Sequence, residues 1–172
     1  MAQGKQKKPT VDEIISKAVI ATRLSCAREP KDVFIATEKR LYAYPVLQAK
    51  IKDDEEMLEE IEQYGLRGRS KSITRFIKSG IRLEPDEIKE AVMLDLRATI
   101  DGDKYEISRI DKAIEQIVDD EYRDIIRYKY FEQKSEDEIA DLMHCAPRTV
   151  RAHKSRLVGR LSVFLYGAGA LA

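Results

Sequence analysis

The sequence predicts an all-α protein, with an N-terminal helical, coiled-coil-like region followed by a C-terminal helix-turn-helix. Three observations predict it. The chain of 172 residues is 36% charged and only 7% aromatic, with no Trp, a profile suited to long solvated helices rather than a deep-pocketed enzyme. A heptad frame fits residues 93–117, pairing Met93 with Leu96, Ile100 with Asp103, Ile107 with Ile110 and Ile114 with Ile117, and seven of those eight positions are apolar. Near the C-terminus two short helical runs, each with its own start signal, flank a tight connection, and the second is basic.

Taken in order, residues 1–9 form a basic, disordered N-terminus. Thr10 and Glu13 make a capping-box pattern for a helix to about Ala27, and Pro30 ends it. A second helical run starts near Asp32, where Pro45 is expected to kink or split it, because proline removes a backbone donor and clashes with the preceding turn. Tyr42 and Tyr44 are expected to pack that kink. Helix resumes through VLQAKIKDDEEMLEEIEQY, with Leu47, Ile51, Leu58 and Ile61 on one face, and Gly65 stops it. The N-terminal helices thus occupy 10–64 and a basic linker 65–84. Gly65 to Ser72 superficially resembles a phosphate-binding P-loop, but Ser70 stands where the glycine before the lysine belongs and a helix precedes it, so a basic linker is the reading. The long heptad helix then covers 85–118, opened by Pro85, with a local break allowed for at Gly102. Its seam suits either residues 47–61 of the same chain or a second chain, giving a homodimer through 85–118 and/or 47–61.

The last segment, 119–167, reads as the DNA-binding domain, with 168–172 a frayed tail. Asp119 and Asp120 cap a helix whose apolar face is Tyr122, Ile125, Ile126 and Phe131. Ser135 and Glu138 form a second capping box, and Pro147 sits where a first helical residue tolerates its missing N–H. Ala140 falls where the two helices cross. Ile139, Met143, Cys145 and Val150 hold the pair together, and Leu157, Leu161 and Phe164 extend the packed face. His144 stands where the turn usually has glycine, so a left-handed backbone there would carry a cost.

Charge gives this segment its function. Lys+Arg and Asp+Glu are 31 each, so the formal net charge is zero. The distribution is segregated: Asp53 to Glu62 holds seven acids and no base, whereas Arg148 to Arg160 holds four arginines and a lysine and no acid. Arg148, Thr149, Arg151, Ala152 and Ser155 project away from the Ile139/Val150 side, where the first turns of a recognition helix enter the major groove. Lys154, Arg156 and Arg160 suit backbone phosphates, and Tyr128, Lys129 and Lys134 add contacts from the preceding helix and turn. The partner is therefore double-stranded DNA.

Other chemistries find no support in the sequence. His144, Cys145 and His153 lie close together, but only Cys26 is left to complete a zinc set, so no metal is expected. The many acids accompany no nucleophile or oxyanion donors, so neither catalysis nor a cofactor is expected. No apolar run approaches the ~20 residues that span a membrane, no apolar signal core follows the basic start, and the two cysteines form no framework. The expected setting is cytoplasmic.

The stretch YRDIIRYKYFEQKSEDEIADLMHCAPRTVRAHKSRLVGRL resembles region 4 of the bacterial sigma-70 family, without gaps from about Glu121 to Leu161. Tyr130-Phe131-Glu132, Glu138-Ile139-Ala140 and Thr149-Val150 carry the likeness. By that resemblance Arg148, Thr149, Arg151, Ala152 and Ser155 lie on the surface that reads a promoter, and RNA polymerase is an implied partner. No sigma region 2 is recognisable. The full layout, with Leu41-Tyr42-Ala43-Tyr44-Pro45-Val46-Leu47 early and a Val163-Phe164-Leu165-Tyr166-Gly167 close, is similar to phage and prophage transcriptional regulators of the RinA/ArpU type. This resemblance implies an activator of phage late or packaging genes, acting at the nucleoid of a bacterial host. Two alternatives share the same pattern: a small terminase-like packaging subunit, and a sigma-like module that holds polymerase without reading DNA.

Overall fold

The computed structural model describes residues 17–18, 30–66 and 84–171. The basic N-terminus, most of the helix expected over 10–27 and most of the basic linker lie outside the described residues. Among the described residues every regular element is helical. Helix α1 spans Val33–Tyr64 and α2 Pro85–Glu115. The short α3, Asp124–Ile126, passes into a π-helical turn at Arg127–Phe131. Helix α4 is Glu136–Leu142 and α5 Pro147–Tyr166, and a 3-10 turn, Gly167–Leu171, closes the chain where a frayed tail was expected.

Helix α1 starts where the Asp32 carboxylate accepts the Ile35 N–H at 2.9 Å. It is not split at Pro45, which sits inside the helix. The two nearby tyrosines do not pack around a kink. Tyr44 stacks on Phe131 with ring centres 4.6 Å apart and donates to Asp111, and Tyr42 meets Tyr130 edge-on. Gly65 ends α1 in a left-handed conformation, φ 73°, its N–H returning to the Ile61 carbonyl. Helix α2 likewise continues through Gly102, which is buried, without the break allowed for there.

The chain divides into two compact units. In one, drawn from residues 51–105, Lys104 pairs with Glu55 and Arg97 with Glu62. Equal spacing in opposite senses means α1 and α2 run antiparallel there. Ile51, Ile61, Val92, Leu96 and Ile100 are buried within the single chain. Val92, rather than Met93, takes the buried position, giving a run of four-residue steps at 92, 96 and 100.

The second unit, residues 30–50 and 106–171, holds the larger core. Ile110 and Ala113 from the end of α2, Ile117 just after it, Ile125, Ile126 and Tyr130, and Ile139, Val150, Leu157, Val158 and Leu161 form one buried cluster with Leu41. Two expectations are corrected. Phe164 is 45% exposed, and Leu165, four residues after Leu161, is buried in its place. Phe131 is only partly buried, and the centre is Tyr130, whose hydroxyl donates to Glu38 at 2.7 Å. Burial and that acceptor push the Tyr130 phenol well above its usual range.

Helices α4 and α5 form the helix-turn-helix. The Ser135 hydroxyl accepts from the Glu138 N–H at 3.2 Å and the Glu138 carboxylate takes the Ser135 N–H at 2.8 Å, the full capping box. The turn places His144 at φ 52°, in the left-handed region, and α5 starts on Pro147 after an extended Ala146. A left-handed non-glycine costs about 1–2 kcal/mol, against about 0.5–1 kcal/mol of extra chain entropy for glycine. His144→Gly is therefore expected to stabilise the domain by up to ~1 kcal/mol, measured as a higher urea midpoint. Gly159 lies inside α5, and a Cβ there would meet nothing within 4 Å. Gly159→Ala is expected to add about 0.5–1 kcal/mol in the same assay.

Candidate nucleic-acid interface

The phase of α5 is set by its apolar side. Val150, Leu157, Val158, Leu161 and Leu165 are all at most 4% exposed, so the opposite side faces solvent. Arg148, Arg151, Ala152 and Ser155 are exposed there, and Thr149 is partly covered. These five predicted reading residues thus share the outer side of the first turns of one helix. Arg148 is exposed with no ion pair among the described residues.

Of the other predicted bases, all but Lys129 are engaged with acids. Arg156 grips Asp120 with two parallel bonds, Nη1 to Oδ2 at 2.7 Å and Nη2 to Oδ1 at 2.9 Å. Arg160 adds Nη1 to the same Oδ2 at 3.1 Å and Nη2 to the Gln116 carbonyl at 2.9 Å. The Tyr122 N–H also donates to Asp120, which keeps only 9% of its side chain exposed. Glu136, at the start of α4, accepts from Arg151 Nε at 3.0 Å on one oxygen, which also lies 2.8 Å from Nη2, and from Lys154 at 3.3 Å on the other. Lys134 pairs with Glu132 and lies over the Tyr128 ring, and Lys129 reaches the Lys134 carbonyl at 3.4 Å.

The run from Arg148 to Arg160 is thus free of acids along the chain but not in space. Two carboxylates, each shared by two bases, sit among its five cations. Sequence reasoning assigned Asp120 only a capping role and Glu136 none. The available signal was an acid beside each of the two helix starts, yet their partners lie 15 to 40 residues away. His153 is a core-edge residue, stacked on Tyr122 with ring centres 3.6 Å apart and its Nδ1 3.1 Å from Arg156.

Residues 109–161 match the family model described as Sigma-70, region 4. They form a sigma-70 region 4-like helix-turn-helix, a DNA-binding module. No curated protein and no solved structure matches the chain. The region 4-like segment starts at 109, inside α2, rather than near Glu121. Ile110, Ala113 and Ile117 belong to the same core as the recognition helix, so the last turns of α2 are part of the domain. The domain also carries a shallow apolar groove of about 280 Å³, lined by Ile114, Val118, Ile126 and Phe131 with Arg123 and Arg127 at its edge and no residue of α5. Among the described residues no helix is long and apolar enough to cross a membrane.

Hydrogen bonds from Arg156, helped by the Tyr122 N–H and the charge of Arg160, outweigh burial and hold the Asp120 carboxyl down from 3.8 to about 2. A carboxylate depressed on folding stabilises fully above its unfolded value, and the contribution is lost as pH falls through the folded one. Because both guanidiniums are nearly half exposed, solvent screening keeps the pair to about 1 kcal/mol. Asp120→Asn is expected to lower stability by that amount at neutral pH. Its deficit against the native chain should be constant above about pH 4 and vanish towards pH 2, read from urea unfolding at each pH.

Proposed function

We propose that the protein is a sequence-specific DNA-binding transcriptional regulator. Arg148, Thr149, Arg151, Ala152 and Ser155 read the major groove, and Lys134, Lys154, Arg156 and Arg160 supply positive charge toward the phosphates. The observation that carries this reading is the exposed side of α5, where these residue types stand on the recognition helix of a region 4-like domain. Arginine suits both roles, since its planar fork pairs with guanine and its charge neutralises phosphate. The ion pairs divide the basic set. Arg148 meets DNA with no ion pair among the described residues, whereas Arg156 and Arg160 must share or release Asp120 to reach a phosphate.

The finer assignment is an activator of late or packaging genes in a phage or prophage, working in the cytoplasm of a bacterial host. The likeness of the chain's layout to RinA/ArpU-type regulators supports it. The heptad helix is assigned to pairing between two copies of the chain, which would place two recognition helices on paired half-sites. Sizing in solution tests this: a dimer would call for paired half-sites, and a large ring for a terminase-like subunit. The second reading, a polymerase-holding module, has in its favour the apolar groove over residues 114–131, away from the recognition helix. A charged residue at Val118 should weaken RNA polymerase binding there while leaving DNA affinity unchanged.

Fluorescence anisotropy with duplexes from the gene's own neighbourhood, at several salt concentrations, tests the main reading. One duplex is expected to bind preferentially, with affinity falling steeply in salt as counterions are released. Arg148→Ala is expected to weaken binding and flatten the salt dependence, by ~0.9 in the logarithmic slope for each phosphate no longer neutralised. Equal weak binding to every duplex would sink the regulator reading.

A further inference from the structure

Arg148 and Arg151 stand one turn apart on the exposed side of α5 and differ in one respect. Arg148 has no ion pair among the described residues, whereas Arg151 is held by Glu136. The hold is specific in geometry. One oxygen, Oε2, accepts from Nε at 3.0 Å and lies 2.8 Å from Nη2, so one edge of the planar guanidinium faces the carboxylate. The other edge, Nη1 with the second hydrogen of Nη2, has no partner among the described residues, and the side chain is 66% exposed. That remaining pair of parallel donors is what guanine O6 and N7 accept in the major groove.

We infer that Glu136 is a positioning residue, which buttresses Arg151 so that its outer edge reads a guanine. The inference rests on the DNA-reading assignment of α5. Glu136 is itself well placed for this role. It is the first residue of α4, directly after the Ser135 cap, and only 23% of its side chain is exposed. An arginine without a partner must give up rotamer freedom when it meets a base, and one already held has less to lose. A carboxylate facing DNA would ordinarily repel it. Here Lys154 occupies the second oxygen at 3.3 Å, so two cations surround one anion and the group stays net positive. The two arginines are thereby divided in task. Arg151 supplies base preference, and Arg148 supplies charge and an adaptable contact.

The test uses the full chain and a pool of duplexes with a randomised central segment. Bound duplexes are sequenced, and the preferred one is then compared by anisotropy with single-base variants. The native chain is expected to select guanine at one position that Arg151→Ala no longer selects. Glu136→Ala should lose about tenfold of that same preference, within the range a bidentate arginine–guanine pair provides. Glu136→Gln, which keeps an acceptor oxygen without the charge, should restore part of it. Preferences elsewhere in the site should not move. If Glu136→Ala keeps the guanine preference and tightens binding to all duplexes alike, Glu136 is a counter-charge only and the inference is overturned. If the native chain itself selects nothing, the DNA-reading assignment fails first and the buttress falls with it. Should Glu136→Ala not fold at the assay temperature, Arg151→Lys decides. It keeps the charge but lacks the fork, so it should lose the guanine preference, and full retention would overturn the inference.

Discussion

The packing of α4 on α5 is the constraint on which the rest of the domain depends. Ala140 is 2% exposed in the core that holds Ile139 and Val150, and its carbonyl accepts the Cys145 N–H at 3.0 Å as the chain turns. A larger side chain there would push the two helices apart, and a packed interior has no slack to absorb it. With that distance fixed, Val150, Leu157, Val158, Leu161 and Leu165 have one way to be buried together. Each such side chain is worth about 1.5–3 kcal/mol on burial, whereas a partly exposed ion pair gives about 0–1 kcal/mol. Packing therefore chooses the rotation of α5. The ion pairs to Asp120 and Glu136 follow from it and refine it. The same rotation that hides Val150 turns Arg148, Arg151, Ala152 and Ser155 outward, so the proposed reading surface is a consequence of the core.

The carboxylates among the bases give the surface its character. A helix with five unopposed cations would attract any polyanion. Here Asp120 takes up Arg156 and Arg160, towards the C-terminal half of α5, and Glu136 takes up Arg151 and Lys154, near its start. Non-specific affinity grows with each phosphate neutralised, so the shared acids lower it across all sequences. An arginine oriented by a carboxylate keeps its hydrogen-bonding directions. On the proposed DNA-reading role, the arrangement would favour discrimination between sequences over sheer affinity.

Much of the domain was legible because its signals are local. The Ser135/Glu138 box, the Pro147 start and the cost of His144 each depend on residues within a few positions, and each is present in the structure. Elements that failed depend on distant partners or on helix phase. Tyr130 carries a hydroxyl that argues against burial, and its acceptor, Glu38, is 92 residues away. Phe164 and Leu165 are adjacent and both apolar, so only the true pitch of α5 separates the exposed one from the buried one. Pro45 fits inside α1 although its residue type argues for a break. The domain's start inside α2 was hidden because Ile110 and Ile117 fit a heptad seam equally well.

A net charge of zero is therefore a poor guide to this protein. Its acidic stretch, Asp53 to Glu62, gives Glu55 and Glu62 to Lys104 and Arg97 within one unit. The acids that pair with the bases of α5 are Asp120 and Glu136, which lie outside that stretch and inside the region 4-like domain. At physiological salt, exposed charges act over about 8 Å, so a bound duplex responds to the groups beside it rather than to the sum over the chain. On that scale the decisive quantity is the count of cations on the outer side of α5 that no neighbouring carboxylate shares. Among the described residues Arg148 is that cation, and on the inference drawn above the orientation of Arg151 would matter as much as its charge.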